Sequence, residues 1–233
     1  MSEISNLNLF QYVFDWHNDN VFLKLTKPLS ILSQKEEYCN NVLMLLFKID
    51  SAFDDLELNR KFISQYQNRD LFEILDIDEN AFLKYHLEHF YLQIPTIFDL
   101  SLKLINIVYK LDLNGIGINY KEIIKRVEVQ DNIKSLMSQF YTQIIKIKEV
   151  RNEITHSNVF DEKNIDLLRL TKHLKESSKN GSITKLINEK GVLINEQAYN
   201  NILEFITKTN QITFDYIIML FDYLQESSLP LRL

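Results

Sequence analysis

The chain is poor in the residues that cross-link or interrupt a polypeptide. It has 233 residues but only one cysteine, three prolines and four glycines. The single thiol, Cys39, excludes an intramolecular disulfide and a thiolate metal site, and a reducing cytoplasm fits that composition. Because prolines and glycines are few, long elements can run without interruption, which favours helices over turn-rich folds.

Long apolar runs are also missing. No stretch approaches the roughly 20 apolar residues that a membrane-spanning helix needs. Residues 1–6 carry neither the basic region nor the apolar core of a secretion signal. We therefore expect neither a signal peptide nor a membrane segment. The chain is 45% hydrophobic and 25% charged, which is typical of a globular protein with one sizeable core or two small ones.

The charge is acidic overall but unevenly distributed. The net charge of −6 argues against a dedicated reader of duplex DNA, which is usually basic. Residues 1–118 carry a net charge of −7, residues 119–190 carry +4, and residues 191–233 carry −3. This distribution has two explanations. One is ordinary variation of charge along a sequence, and the other is a local basic patch that holds a phosphate backbone.

Apolar residues recur with helical spacing along nearly the whole chain, which predicts an all-α helical bundle. We expect helices over residues 9–25, 34–58, 80–111, 120–129, 131–155, 161–179 and 195–225. Short helical turns and loop are expected over residues 59–78. Residues 182–194 are ambiguous, because Lys190-Gly191 could form a turn. Pro95 should kink the third helix, and Asn114-Gly115-Ile116-Gly117 should end it.

The long helix expected over residues 131–155 carries an apolar stripe with steps of three and four residues. Its members are Ile133, Met137, Phe140, Ile144 and Ile147. Continuing the stripe places Arg151 in a slot where an apolar side chain is expected, followed by Ile154. A guanidinium is costly to bury without a partner. Either the stripe reaches the surface there, or Arg151 faces a polar pocket or an interface.

The sequence Arg151-Asn152-Glu153-Ile154-Thr155-His156 stands near the end of this helix. It resembles the signature of the HEPN superfamily, which is an arginine, usually a polar residue next, and a histidine after four to six intervening residues. The stretch Tyr85-His-Leu-Glu-His-Phe-Tyr91 also resembles a bacterial HEPN subfamily with extra helices. The resemblance implies a HEPN-like bundle over residues 1–233, with a core at about 30–180 and a helical extension at about 181–233.

The resemblance also implies a function. HEPN nucleases cleave RNA without a metal or other cofactor, and they form symmetric dimers in which two motifs face one cleft. The implied partners are RNA, a second copy of the chain, and a cognate antitoxin or inhibitor protein. Bacterial toxin–antitoxin and antiviral systems use such enzymes. Many relatives are instead non-catalytic modules that bind RNA, nucleotide or protein, so that function is the alternative.

The residue types of the motif suit metal-independent RNA cleavage. Histidine titrates near neutrality and can act as a general base or acid, whereas arginine stabilises the charge on the phosphorane with several N–H donors. Asn152 and His156 are four residues apart and share a helix face. Arg151 and His156 are about 140° apart, so they converge only if the helix ends near Thr155 or if Arg151 bends round.

A structural role for the motif is also open. Arg151 could pair with Glu149 or Glu153, and His156 could be a helix-end residue that the C-terminal dipole stabilises. The dimer interpretation would explain why Arg151 interrupts an apolar stripe. It would also supply the second histidine that acid–base catalysis needs.

Four other histidines are weaker candidates. His86 and His89 have metal-ligand spacing on a helix, but no third ligand is near, and a helix-face pair is the alternative. His17 is expected to be a surface or capping histidine. His173 could contribute to the basic region.

Two sets of charged residues complete the candidates. Asp99 and Lys103 are four apart and resemble an acidic–basic pair that some HEPN proteins carry near the site, but a plain surface ion pair explains them too. RNA-backbone contacts are expected from five basic residues, whose alternative is a solvated helix face. These residues are Lys121, Lys125, Arg126, Lys146 and Lys148.

Overall fold

The computed structural model describes residues 4–25, 32–66, 72–74, 76–157, 160, 162–177 and 181–226. These residues are helical almost throughout and contain no β-strand, which confirms the all-α class. The helices are α1 (Asn8–His17), α2 (Leu23–Leu25), α3 (Gln34–Ser64), α4 (Glu79–Val108), α5 (Tyr120–Ile123), α6 (Asp131–Ser157), α7 (Lys163–Ser177) and α8 (Gly181–Glu226).

The chain divides into two compact units. Unit 1 comprises Met1–Asp55, Gln93–Lys146 and Ile212–Leu233, and unit 2 comprises Leu56–Leu92 and Ile147–Gln211. The division falls within the four longest helices, α3, α4, α6 and α8. The single domain that we expect over residues 1–233 stays a prediction.

The N-terminal segment is helical, as expected, but it is not one uniform helix. A π-helical turn, Asn18–Phe22, separates α1 from α2. The buried face of α1 packs against the first half of α3, where the Phe10 ring meets the Phe47 ring edge-on at 5.1 Å. The Sγ atom of Cys39 donates to the carbonyl oxygen of Val13. Pro28 lies outside the described residues.

The prediction of short helical turns and loop over residues 59–78 is wrong for the first six of them, because the long helix α3 continues to Ser64. Leu56, Asn59 and Ile63 are all buried at helical spacing. Asn59 interrupts the apolar pattern of the sequence, which hides the continuation of the helix. Residues 72–74 are helical, in keeping with the short turns expected there.

Helix α4 ends three residues before the expected end. Lys110 and Asp112 adopt positive φ angles of 49° and 55°, so the chain turns before it reaches the glycines. The buried Asn106 side chain fixes this turn, because it accepts from the N–H of Leu113 and donates to the Leu113 carbonyl, both at 3.1 Å. Pro95 lies inside α4. The kink expected there stays a prediction.

The later helices depart from the expected bounds in two places. The expected helix over residues 120–129 is shorter than predicted, because α5 ends at Ile123 and a turn follows. Helix α8 begins at Gly181 and runs through Lys190-Gly191, so the turn considered there is wrong. A break expected at Asn180-Gly181 lies partly outside the described residues.

Unit 1 is built around stacked aromatic rings. The rings of Phe140 on α6 and Tyr216 on α8 are parallel, with centroids 4.1 Å apart. The buried Tyr216 hydroxyl donates to Ser101 Oγ on α4 at 2.7 Å, and Ser101 Oγ donates to the carbonyl of Phe98 at 2.7 Å. Burial raises the pKa of Tyr216, so the phenol stays neutral. This arrangement joins three long helices within unit 1.

Unit 2 is held by contacts among α3, α4, α7 and α8. The Tyr199 hydroxyl donates to the carbonyl of Ser64 at 3.1 Å, where α3 ends. Asp78 accepts from the N–H of Ala81 and pairs with Lys172 of α7 at 2.5 Å. This carboxylate therefore caps the start of α4 and ties it to α7.

Helices α7 and α8 approach closely at Gly191, which is buried in unit 2. A Cβ atom at this position would lie 2.8 Å from Thr171 Cγ2. Threonine is stiff at χ1, so its methyl group cannot move away cheaply. The missing side chain at Gly191 thus lets the two helices meet.

We expect Gly191→Ala to destabilise the protein by about 1 kcal/mol, because overpacking outweighs the gain in helix propensity. Adding Thr171→Ser removes the clashing methyl group and keeps the hydroxyl. The double variant should then be about as stable as Thr171→Ser alone, or more stable by up to about 1 kcal/mol. Urea denaturation monitored by circular dichroism measures these differences. Equal destabilisation with and without Thr171→Ser would contradict the packing assignment.

Candidate functional site

The Arg-Asn-x-x-x-His motif lies on the last turns of α6. The five apolar residues of the expected stripe are all buried, which confirms the orientation of the helix. Beyond Ile147 the same face becomes half-buried at Arg151 and Ile154. The stripe therefore loses full burial where the motif begins, and this partial exposure accommodates the arginine.

Asn152 and His156 are both exposed on α6. Helix α6 continues to Ser157, two residues beyond its expected end, so His156 is helical. Side chains four residues apart on a helix are neighbours, and the motif therefore presents an amide and an imidazole side by side to solvent. His156 also lies in the last turn of α6.

Arg151 does not share the face of His156. Because α6 is continuous through both residues, they diverge by about 140° around the helix axis. The Thr155 hydroxyl donates to the carbonyl of Arg151, one turn back along α6, at 2.5 Å. The helix ends at Ser157, beyond both residues, so its end does not bring Arg151 and His156 together within one chain.

The five basic residues expected to bind RNA lie on α5, in the turn after it, and on α6. Lys121, Lys125 and Lys146 are exposed, whereas Arg126 and Lys148 are half-buried. Lys125 pairs with Glu122 at 2.8 Å, and this hydrogen bond lowers the pKa of the Glu122 carboxyl.

The pairing of Lys125 reduces the charge that it offers to a phosphate. Lys146 and Lys148 are separated by about 160° around the axis of α6, so they do not form one stripe. RNA binding by this set stays a prediction.

His17 is not the surface or capping residue expected from the sequence. It is only 7% exposed, and its Nε2 donates to Asn40 Oδ1 at 3.2 Å. The sequence gave no sign that His17 is buried, because its neighbours Asp15, Asn18 and Asp19 are polar. These neighbours occupy other faces of the helical segment. His17 is therefore a hydrogen-bonded core histidine of unit 1.

His86 belongs to an aromatic cluster in unit 2. Its Nδ1 donates to Oδ1 of the buried Asn59 at 2.9 Å, and its ring stacks on Phe62 with centroids 4.7 Å apart. Phe82 and Tyr85 contact the same imidazole. Burial, and secondarily the charge of His89, lowers the pKa of His86. These contacts support the helix-face alternative over metal ligation.

The remaining candidates keep their sequence interpretations. Asp99 is half-buried and Lys103 is exposed on α4, and His173 is exposed on α7. Among the described residues, no group of three or more histidine, cysteine, aspartate or glutamate side chains is arranged to hold a metal ion. Within the same part of the chain, no helix has both the length and the apolar character that crossing a bilayer requires.

One feature of unit 2 was not expected from the sequence. Helix α7 exposes Leu170 and Leu174 to solvent, next to the half-buried Leu167. The signal was present, because leucines three and seven residues apart lie on one helix face. The exposed leucine face was missed because a second apolar set, Ile165 and Leu168, already accounts for the buried face of α7.

Comparison with models of protein families gave a match. A family model described as Cthe2314-like HEPN matches residues 38–218, which is more than half of the chain. The matched region contains the motif and reaches beyond the expected core into the segment expected to be an extension. No curated protein and no solved structure matched the chain.

The His86 cluster makes stability depend on pH. Because its folded-state pKa lies below the unfolded value of about 6.5, the unfolded chain binds the proton more readily. This stability is complete above pH of about 6.5 and is lost as the pH falls below it. We expect His86→Gln, which keeps a donor for Asn59, to flatten the decline in urea midpoint between pH 7.5 and 5.5. An unchanged slope would contradict this role.

Proposed function

This chain belongs to the Cthe2314-like HEPN family, and we propose that it is a metal-independent endoribonuclease with Arg151, Asn152 and His156 as its catalytic groups. The observation that carries the proposal is the exposed pair of Asn152 and His156 on one face of α6, within the matched region. An exposed imidazole can reach a substrate, and an adjacent amide can orient it.

The reaction that fits these groups is an internal transfer at a phosphodiester. A neutral imidazole removes the proton of the ribose 2′-hydroxyl, whose oxygen attacks the adjacent phosphorus. The bond from phosphorus to the 5′-oxygen breaks, and that oxygen takes up a proton from an imidazolium. The products are a 2′,3′-cyclic phosphate and a 5′-hydroxyl. No water, oxidant or other co-reactant is consumed in this step.

Arginine supplies the charge that the transition state needs. The pentacoordinate phosphorus carries extra negative charge on its oxygens, and a guanidinium can donate two hydrogen bonds to it at once. Lysine offers a point charge without this fork geometry. We therefore expect the Arg151→Lys variant to lose the transition-state stabilisation that arginine provides.

A symmetric homodimer completes the site in this proposal. One chain offers one exposed imidazole on α6 and an arginine about 140° away, whereas the reaction uses both a base and an acid. A second copy related by a two-fold axis brings a second His156 and a second Arg151 to the same phosphate. The Arg151 of one copy can then work with the His156 of the other.

A non-catalytic module that binds RNA, nucleotide or a protein partner is the second candidate. The divergence of Arg151 and His156 within one chain favours it, because a single copy does not gather the three groups. The two functions differ in a measurable way, since a binding module leaves RNA intact. A role as a toxin or antiviral effector, with a cognate inhibitor, belongs to the catalytic proposal.

Cleavage of RNA in the presence of EDTA tests the proposal. We expect the wild-type protein to cut RNA and leave 2′,3′-cyclic phosphate ends. His156→Ala should lower the rate by about a hundredfold or more, because it removes the acid–base group. Gln143→Ala, at an exposed position on another face of α6, is the matched control and should cleave normally.

Three results bear on this test. Cleavage that persists unchanged in His156→Ala would contradict the catalytic assignment. Equal background in wild type and both variants would favour the binding module, provided that RNA is still bound. Loss of activity in Gln143→Ala as well would indicate damage to α6 and not loss of the imidazole, so circular dichroism should accompany each assay.

A further inference from the structure

The side chain of Thr155 lies among the proposed catalytic groups but has no part in the chemistry assigned to them. Thr155 precedes His156 on the last turn of α6, and it is exposed. Its hydroxyl donates to the carbonyl oxygen of Arg151 at 2.5 Å, with a longer contact of 3.4 Å to the carbonyl oxygen of Asn152. One hydroxyl therefore contacts the backbone of the two groups that lie one turn before the imidazole.

A second donor on a helix carbonyl changes the backbone at that point. In an α-helix the carbonyl oxygen of Arg151 already accepts from the N–H of Thr155, four residues later. A threonine hydroxyl that donates to the same oxygen draws the carbonyl outward and commonly bends the helix. The affected turn runs from Arg151 to Thr155, directly before His156. The hydroxyl therefore influences the direction in which the imidazole projects.

The position of this hydrogen bond near the end of α6 increases its effect. The last four carbonyl groups of a helix lack an intrahelical partner, and terminal turns open more easily than interior ones. Helix α6 ends at Ser157, so His156 lies in its terminal turn. The imidazole stays beside Asn152 only while this turn remains helical. The Thr155 hydroxyl adds a link from the terminal turn back to the turn before it.

The same helix contains a matched hydrogen bond away from the motif. The Thr142 hydroxyl donates to the carbonyl of Ser138 at 2.8 Å, again four residues back, and Thr142 is exposed like Thr155. Thr142 lies about four turns before the end of α6. A bond of this kind is therefore not particular to the motif. What distinguishes Thr155 is that its hydroxyl contacts the backbone of two proposed catalytic groups.

We propose that Thr155 is a positioning residue, whose hydroxyl holds His156 beside Asn152 through the backbone of the last turns of α6. This inference rests on the proposed function, because it assumes that the imidazole must be aimed at a phosphodiester. Thr155 does not touch the reacting atoms in this scheme. It fixes the direction of the imidazole, and proton transfer requires that the imidazole lie within hydrogen-bond reach of the 2′-hydroxyl.

NMR spectroscopy of the full, isotope-labelled chain without RNA tests the hydrogen bond and its effect on the imidazole. Thr155→Val keeps the branched shape and removes the hydroxyl, whereas Thr155→Ser keeps the hydroxyl. The carbonyl carbon shift of Arg151 should change in Thr155→Val and stay near the wild-type value in Thr155→Ser. Nuclear Overhauser contacts between the Asn152 amide and the His156 imidazole should weaken in Thr155→Val alone.

The kinetics of RNA cleavage in EDTA test the consequence for the proposed reaction. Thr155→Val should lower kcat by about tenfold with little change in KM, because a misdirected imidazole slows the chemical step and leaves binding intact. Thr155→Ser should keep most of the activity. Thr142→Val, the matched control, loses the same kind of hydrogen bond away from the motif and should cleave RNA like the wild type.

Stability separates positioning from a purely structural role. Valine and threonine have similar helix propensities, and a hydroxyl that bonds back to the preceding turn does not stabilise a helix. The urea midpoint of Thr155→Val should therefore match that of the wild type while its kcat falls. A fall in kcat that is accompanied by a lower urea midpoint, and that Thr155→Ser shows equally, would overturn the positioning role.

The positioning role and the proposed function can fail separately. If the wild type and Thr155→Val cleave RNA at the same rate, the positioning role is wrong and the nuclease proposal stands. If no form of the protein cleaves RNA but the contacts between Asn152 and His156 weaken in Thr155→Val alone, the positioning role stands and the nuclease proposal fails. Contacts that are absent in the wild type, or unchanged in Thr155→Val, would overturn the positioning role.

Discussion

The continuity of helix α6 is the constraint on which the site depends. Each residue of an α-helix turns by about 100°, so an unbroken helix fixes which side chains can act together. Helix α6 stays helical through His156, and this places Asn152 beside the imidazole and Arg151 on another face. The same helical geometry places the apolar stripe from Ile133 to Ile147 on the buried face of α6. In the proposed homodimer, a second copy supplies the arginine that faces the imidazole.

The two units contribute different things to this arrangement. In unit 1, the stacked rings of Phe140 and Tyr216 and the hydroxyl of Ser101 fix the first part of α6 against α4 and α8. In unit 2, the motif shares its unit with α7, whose inner face is buried and whose outer face is exposed. The buried side of each helix packs within its own unit, and the other side faces solvent.

Much of the fold could be predicted from the sequence, because helical periodicity depends on burial and burial follows apolar side chains. The errors have physical causes. Asn59 is buried and hydrogen-bonded to His86. Because this polar residue interrupts the apolar pattern of the sequence, the pattern did not reveal where α3 ends. Gly191 lies inside α8 and faces Thr171, a tertiary contact that no local rule reveals. The positions of Asn152 and His156 on one face followed from spacing alone, but burial of His17 depended on Asn40, 23 residues away.

The most direct test of the account is subunit mixing. Wild-type protein and the His156→Ala variant are mixed in equal amounts and allowed to exchange subunits. The rate of RNA cleavage in EDTA is then compared with the rate of the wild type alone at the same total concentration. If each site needs both histidines, about a quarter of the activity should remain, since only wild-type pairs are active. About half of the activity would instead mean that each chain acts alone, and it would contradict a shared site.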